Sequence, residues 1–172
     1  NIGFDSRDTG IPIYSCNCWN DFIMRRKLLI ILIALPMIGF GQNVNIPDAN
    51  FKAYLVGNSA INTNGDTEIQ VSEASVFSDS ISVSGILFIY DLTGIEAFTD
   101  LTYLDCSQLL ITSLDVSNNI ALTYLDCNSI QLTTLDLSNN TDLVHLDCRF
   151  NQLTSLDVSN NLALIYLDCQ GN

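Results

Sequence analysis

Over the second half of the chain the apolar positions return with a period far longer than a helix or a strand can produce. Leu104-Asp105-Cys106 recurs as Leu125-Asp126-Cys127, Leu146-Asp147-Cys148 and Leu167-Asp168-Cys169, each copy 21 residues after the last. Between these lie Leu114-Asp115-Val116, Leu135-Asp136-Leu137 and Leu156-Asp157-Val158, so the unit has halves of 10 and 11 residues, each reading Leu-x-x-Leu-Asp-apolar. Around each Asp the alternation sets the flanking apolar residues on one face and the carboxylate on the other. Extended segments this short, turned by Ser-Asn-Asn, cannot close a core alone; stacked coil on coil, they can. In front, Leu92, Ile95, Phe98, Leu101 and Leu104 keep a three-residue spacing, which predicts an irregular first coil. Earlier still, Pro47 to Val56 reads as a short helix, with Pro47 in the first turn, Gly57 just past the end, and Phe51, Tyr54 and Leu55 sharing one face.

The four registered copies resemble the leucine-rich-repeat family, specifically the short internalin-like repeats of secreted bacterial proteins, over about Ile81 to Asn172. The family's strand and its following Asn correspond to Leu143-x-x-Leu146-x-Cys148-x-x-Asn151-x-Leu153 and, up to the chain end, to Leu164 to Asn172. In the family that Asn bonds the backbone of neighbouring turns. Leu109 and Ile130 stand in its place in two copies, which implies looser or drier early coils. The fold implied is a leucine-rich-repeat solenoid: short parallel strands stacked every 21 residues, behind a small helical N-terminal cap that covers the apolar end of the stack.

Four segments follow along the chain. Residues 24–41 read as a signal peptide: Met24-Arg25-Arg26-Lys27 precedes the apolar run Leu28 to Phe40, with small residues at Gly39 and Gly41 before Gln42. The run is short for a bilayer span of about 20 residues and holds Pro36. Residues 1–23 lie upstream of this Met and read as a non-native segment. Residues 42–80 form the cap and 81–172 the repeats, which break off in mid-unit at Asn172.

Within the cap, the stretch from Asn62 to Glu73 resembles an EF-hand or dockerin-type calcium loop. The resemblance puts oxygen ligands on Asn62, Asn64 and Asp66 at positions one, three and five, Glu68 at position seven, and the bidentate carboxylate on Glu73 at position twelve. Two departures weaken it: Asn62 carries no charge where Asp is usual, and Thr67 stands where a Gly makes the sharp turn. The two readings are a bound calcium and a cap turn that keeps only the loop's shape. No other cofactor is indicated.

Composition sharpens the picture. The whole chain carries a net charge of −13, and after Gln42 the only basic residues are Lys52 and Arg149, against 16 acidic ones. Phosphate binding needs clustered Lys and Arg, so nucleic acid is excluded as a partner. The four repeat cysteines read as buried small hydrophobes, although strands about 4.8 Å apart also lie inside the Cα range of a disulfide.

Alternation predicts three outward columns on the concave strands. These are Tyr103, Tyr124, His145 and Tyr166; then Asp105, Asp126, Asp147 and Asp168; then Ser107, Asn128, Arg149 and Gln170. Aromatic columns offer large contact area at small entropy cost. Carboxylates about 5 Å apart repel by roughly 3 kcal/mol at an effective dielectric of 20, so something must offset the Asp columns. The expected function is an exported module, secreted or at a bacterial cell surface, that binds protein or glycan through Tyr103, Asp105, Tyr124, Asp126, His145, Asp147, Arg149, Tyr166 and Asp168. The alternatives are a structural spacer or adhesin stalk and a signalling adaptor, the last opposed by the export signal. An enzyme is not expected: His145, Asp147 and Ser155 need to converge for a Ser-His-Asp triad, and no phosphate loop or His-Glu-x-x-His is present. No stable membrane span remains once the signal is cleaved.

Overall fold

The computed structural model describes residues 41–172. The upstream segment and nearly all of the signal sequence therefore lie outside the described residues. Five strands follow one another along the chain: β1 (Ser80–Ser82), β2 (Tyr103–Asp105), β3 (Tyr124–Asp126), β4 (His145–Asp147) and β5 (Tyr166–Asp168). They form one parallel sheet in sequence order. From β2 onwards the register repeats without slip, Tyr103 opposite Tyr124, Tyr124 opposite His145, and His145 opposite Tyr166. The first step is longer, Ser80 pairing with Tyr103. The extra length is taken up where the three-residue spacing was read, in a 3₁₀ turn over Ile95–Ala97.

The middle Leu of each of β2, β3 and β4 points inwards. Leu104, Leu125 and Leu146 are fully buried, as are Cys106, Cys127 and Cys148 one alternation later. Leu101, Leu122 and Leu143 and then Ile111, Leu132 and Leu153 add further inner rows, all within one cluster that extends into the cap through Phe51 and Leu55. The four cysteines line one inner seam as free thiols, with Cys169 in the last coil exposed. Burial pushes the thiols of Cys106 and Cys127 well up, and that of Cys148 up to about 12. The second Leu-Asp-apolar half is not a strand. It turns sharply instead: the amides of Asn119, Asn140 and Asn161 donate to the carbonyls of Val116, Leu137 and Val158.

Two asparagine ladders stitch coil to coil. Asn151 donates from Nδ2 to the carbonyls of Cys127 and Cys148 and accepts the amides of Ile130 and Leu132; Asn172 repeats the arrangement with Cys148 and Cys169. Leu109 and Ile130, at the equivalent earlier positions, are buried, so those coils are closed by apolar packing rather than by an amide. The second ladder is the last residue of Ser-Asn-Asn. Asn119 donates to Ile95 and Phe98, Asn140 to Val116 and Asn119, Asn161 to Leu137 and Asn140. Reading Ser-Asn-Asn only as a turn missed this role.

In the cap, α1 covers Ala49–Val56. It starts two residues later than the pattern suggested, because Asp48 is the N-cap: its Oδ1 accepts the amides of Asn50 and Phe51, leaving Pro47 outside. Phe51 and Leu55 are fully buried, and the Tyr54 hydroxyl accepts the Ser82 amide on the outer edge of β1. Covering an edge amide in this way removes a template for unwanted strand pairing. A second short helix, α2 (Val71–Ala74), follows the loop.

Candidate functional site

The sheet face opposite the buried leucines gathers the predicted columns. Their first column is a continuous aromatic stack. Tyr103 and Tyr124 lie 4.1 Å apart between ring centres and 10° from parallel; Tyr124 and His145 are 4.2 Å apart at 7°, His145 and Tyr166 4.2 Å at 2°. The parallel register enforces this, since like residues sit one strand spacing apart. The faces of the inner rings are therefore used against one another, and what the surface presents is their edges and the tyrosine hydroxyls. Burial first, then Tyr103 and the nearby Asp126 and Asp105, push the Tyr124 phenol well above its ordinary value.

Beside the stack runs the Asp column, and its repulsion is offset locally. Each carboxylate turns back to accept the amide two residues on: Asp105 from Ser107, Asp126 from Asn128, Asp147 from Arg149 and Asp168 from Gln170. The Ser107 hydroxyl and the Asn128 side-chain amide add a second bond. Further along, Arg149 neutralises two members at once, with Nε 3.1 Å from Asp147 and Nη1 3.6 Å from Asp168. Asp126, mid-column, is the least relieved. Burial and the charges of Asp147 and Asp105 outweigh its hydrogen bonds from Asn128 and raise its pKa. On the other half-turn, hydrogen bonds from Ser117, Ser138 and Ser159 hold Asp115, Asp136 and Asp157 below the usual carboxylate range.

At the rim of this face the backbone enters the left-handed region at one equivalent position of each coil, Gly85, Gln108, Ser129, Phe150 and Gly171. Phe150 is the outlier. A bulky residue in that region is strained, yet its ring is largely exposed and lies over the next coil, where a Cβ on Gly171 would come within 2.6 Å of it. Sequence reasoning missed Phe150; the signal was a large apolar residue in a column otherwise Gly, Gln or Ser. Ser155 is elsewhere, lining a shallow hollow with Thr134, Asp136 and Asp157 while His145 is held in the stack, so no Ser-His-Asp triad forms from them.

The calcium-type loop is closed by its own side chains. Glu73 accepts the amides of Thr63 and Asn64 and the Thr63 hydroxyl on Oε1, and the Gln70 amide on Oε2. Burial acts to raise its pKa, but these bonds prevail and hold it low. Glu68 pairs with Lys52 at 2.6 Å, and Asp66 accepts the Gln70 side-chain amide. Asn62 and Asn64 accept the amides of Gly65 and Asp66. The left-handed residue is Gly65, not Thr67, so the chain turns two positions before a calcium loop would. Among the described residues no three His, Cys, Asp or Glu side chains gather to hold a metal ion. In this arrangement the carboxylates of Glu68 and Glu73 are bonded to Lys52 and to the loop's own amides.

Solved structures share this architecture, two internalins among them. The chain is 40% identical to the functional domain of InlJ from Listeria monocytogenes, described as including a cysteine ladder, with a TM-score of 0.67 over 77% of this chain. This fold is an internalin-type leucine-rich-repeat solenoid. A second internalin from that organism, InlF, matches at 22% identity and a TM-score of 0.53 over 70% of this chain. The chain spans 29% and 42% of the length of these two proteins. No protein-family model matches the sequence, and no curated protein does. Among the described residues there is no helix long and apolar enough to cross a membrane.

Proposed function

We propose that this internalin-like solenoid is a binding module of an exported protein, secreted or displayed at a bacterial cell surface, and that its concave strand face receives a protein or glycan partner. The observation that carries this reading is the aromatic column: Tyr103, Tyr124, His145 and Tyr166 stand in one ordered row on the outer sheet face, with the exposed Phe150 at the rim. Rigid aromatics in a line, bordered by polar columns, form the composition of an interaction surface rather than of a solvated spacer. The basic and apolar sequence at residues 24–41 supports export.

The test compares capture of extracellular proteins and glycans by the full chain, by Tyr103→Ser/Tyr124→Ser on the concave face, and by Asp115→Asn/Asp136→Asn on the other half-turn. The binding reading expects one partner to be lost from the first variant alone. Identical capture by all three would favour the spacer. Circular dichroism establishes that each variant is folded, and Tyr166→Ser, at the exposed end of the stack, provides a milder second variant.

A further inference from the structure

The face described above is not neutral ground between protein and glycan. A sugar stacks on an aromatic side chain through an open ring face, and here Tyr124 and His145 are covered on both faces by their neighbours. The row offers hydroxyls and ring edges instead, beside carboxylates. Its charge is equally one-sided. Among the described residues Lys52 and Arg149 are the basic ones, and both are already paired, Lys52 with Glu68 and Arg149 with Asp147 and Asp168. The half of the face over β2 and β3 therefore carries Asp105 and Asp126 next to the stacked tyrosines, with Ser107 and Asn128 in the column that holds Arg149 further on.

From these observations we infer that the concave face receives a basic segment of a partner polypeptide, one of whose arginines lies across Asp105 and Asp126 while its backbone runs along the tyrosine edges. The inference rests on the concave-face reading of the previous section. Arg149 shows the arrangement: one guanidinium spans the corresponding carboxylates of two successive coils, reaching them from the column two residues on. Two coils earlier in the same register the column holds Ser107 and Asn128, uncharged and each bonded to its own Asp, so among the described residues no cationic side chain spans Asp105 and Asp126. A planar guanidinium with five donors suits two stacked carboxylates better than an ammonium does. The acidity of the whole chain steers such a partner towards the surface before contact.

The probe is hexaarginine, titrated into the full chain by isothermal calorimetry at low salt, with hexalysine and a neutral glucose hexasaccharide alongside. Saturable binding of hexaarginine is expected, tighter than that of hexalysine and absent for the sugar. Asp105→Asn/Asp126→Asn should weaken it by about tenfold or more, whereas Asp115→Asn/Asp136→Asn, with the same charge change, should alter it by less than about twofold. Equal losses in the two variants would reduce the effect to net charge and overturn the inference, as would sugar binding in place of peptide. Repeating the capture experiment with Asp105→Asn/Asp126→Asn separates the two readings. A partner kept by this variant but lost on Tyr103→Ser/Tyr124→Ser leaves the binding face standing and overturns the basic-segment inference.

Discussion

Replacing Asn140 with Ala removes the central rung of the inner amide ladder. Its Nδ2 donates at 3.0 Å to the carbonyls of Val116 and Asn119, and the side chain is fully buried. Neither carbonyl is orphaned by the change, because Val116 still accepts the Asn119 amide and Asn119 the Leu122 amide. What disappears is the second bond to each, worth about 1 kcal/mol net apiece. The Oδ1 atom, which has no protein partner, is removed as well and returns part of that loss, while the small void left behind works against it. The expected loss is about 2 kcal/mol, read from urea unfolding followed by far-ultraviolet circular dichroism. Asn139→Ala is the comparison. Asn139 also donates to the preceding coil, to Ser117, but it is exposed to water, so its loss should stay below about 0.5 kcal/mol. If the two variants unfold at the same urea concentration, the buried amides do not hold the coils together.

Ser129→Gly should stabilise the fold by about 0.5 kcal/mol, because φ of 58° is uncomfortable for Ser and free for Gly, with part of the gain returned as chain entropy; an unchanged urea midpoint would mean the turn is not strained there. Iodoacetamide followed by peptide mapping should label Cys169 in the native protein and leave Cys106, Cys127 and Cys148 untouched until urea is added, since burial both shields those thiols and keeps them protonated. Acid should destabilise the chain: Asp48, Glu73, Asp115, Asp136 and Asp157 titrate lower in the fold than unfolded, so their stabilisation is present above about pH 4 and is lost as pH falls through their folded values. Asp126 has the opposite sign, its raised pKa costing stability as pH rises, so Asp126→Asn should melt higher than the parent at pH 7 and lose that advantage in acid. Calcium added after chelation should leave the melting midpoint in place, because Glu73 would have to release four donors to turn towards an ion.

The fold was legible because a parallel register turns sequence period directly into spatial rows. A 21-residue spacing of Leu and Cys states which side chains lie above one another, and the strand pairing follows it residue for residue. The outward columns were legible for the same reason. Three features were not. The burial of Asn119, Asn140 and Asn161 could not be read from Ser-Asn-Asn, since Asn is equally at home in an exposed turn. The start of α1 moved because Pro47 and Asp48 both signal a helix beginning, and the carboxylate that captures two amides decides between them. The calcium-like spacing survives in Asn62, Asn64, Asp66 and Glu73, but spacing fixes neither where the left-handed residue falls nor what the carboxylates bond, and Gly65 and Lys52 settle those.

Because β2 through β5 advance by an identical step, the coils are interchangeable in length. Gene duplication or loss of one whole unit among these coils would leave the leucine seam and the Asn119, Asn140 and Asn161 ladder continuous, whereas a gain or loss of part of a unit within a coil would throw leucine out of line with leucine. Array length can thus drift in evolution without refolding the molecule, and with it the reach of the surface it displays.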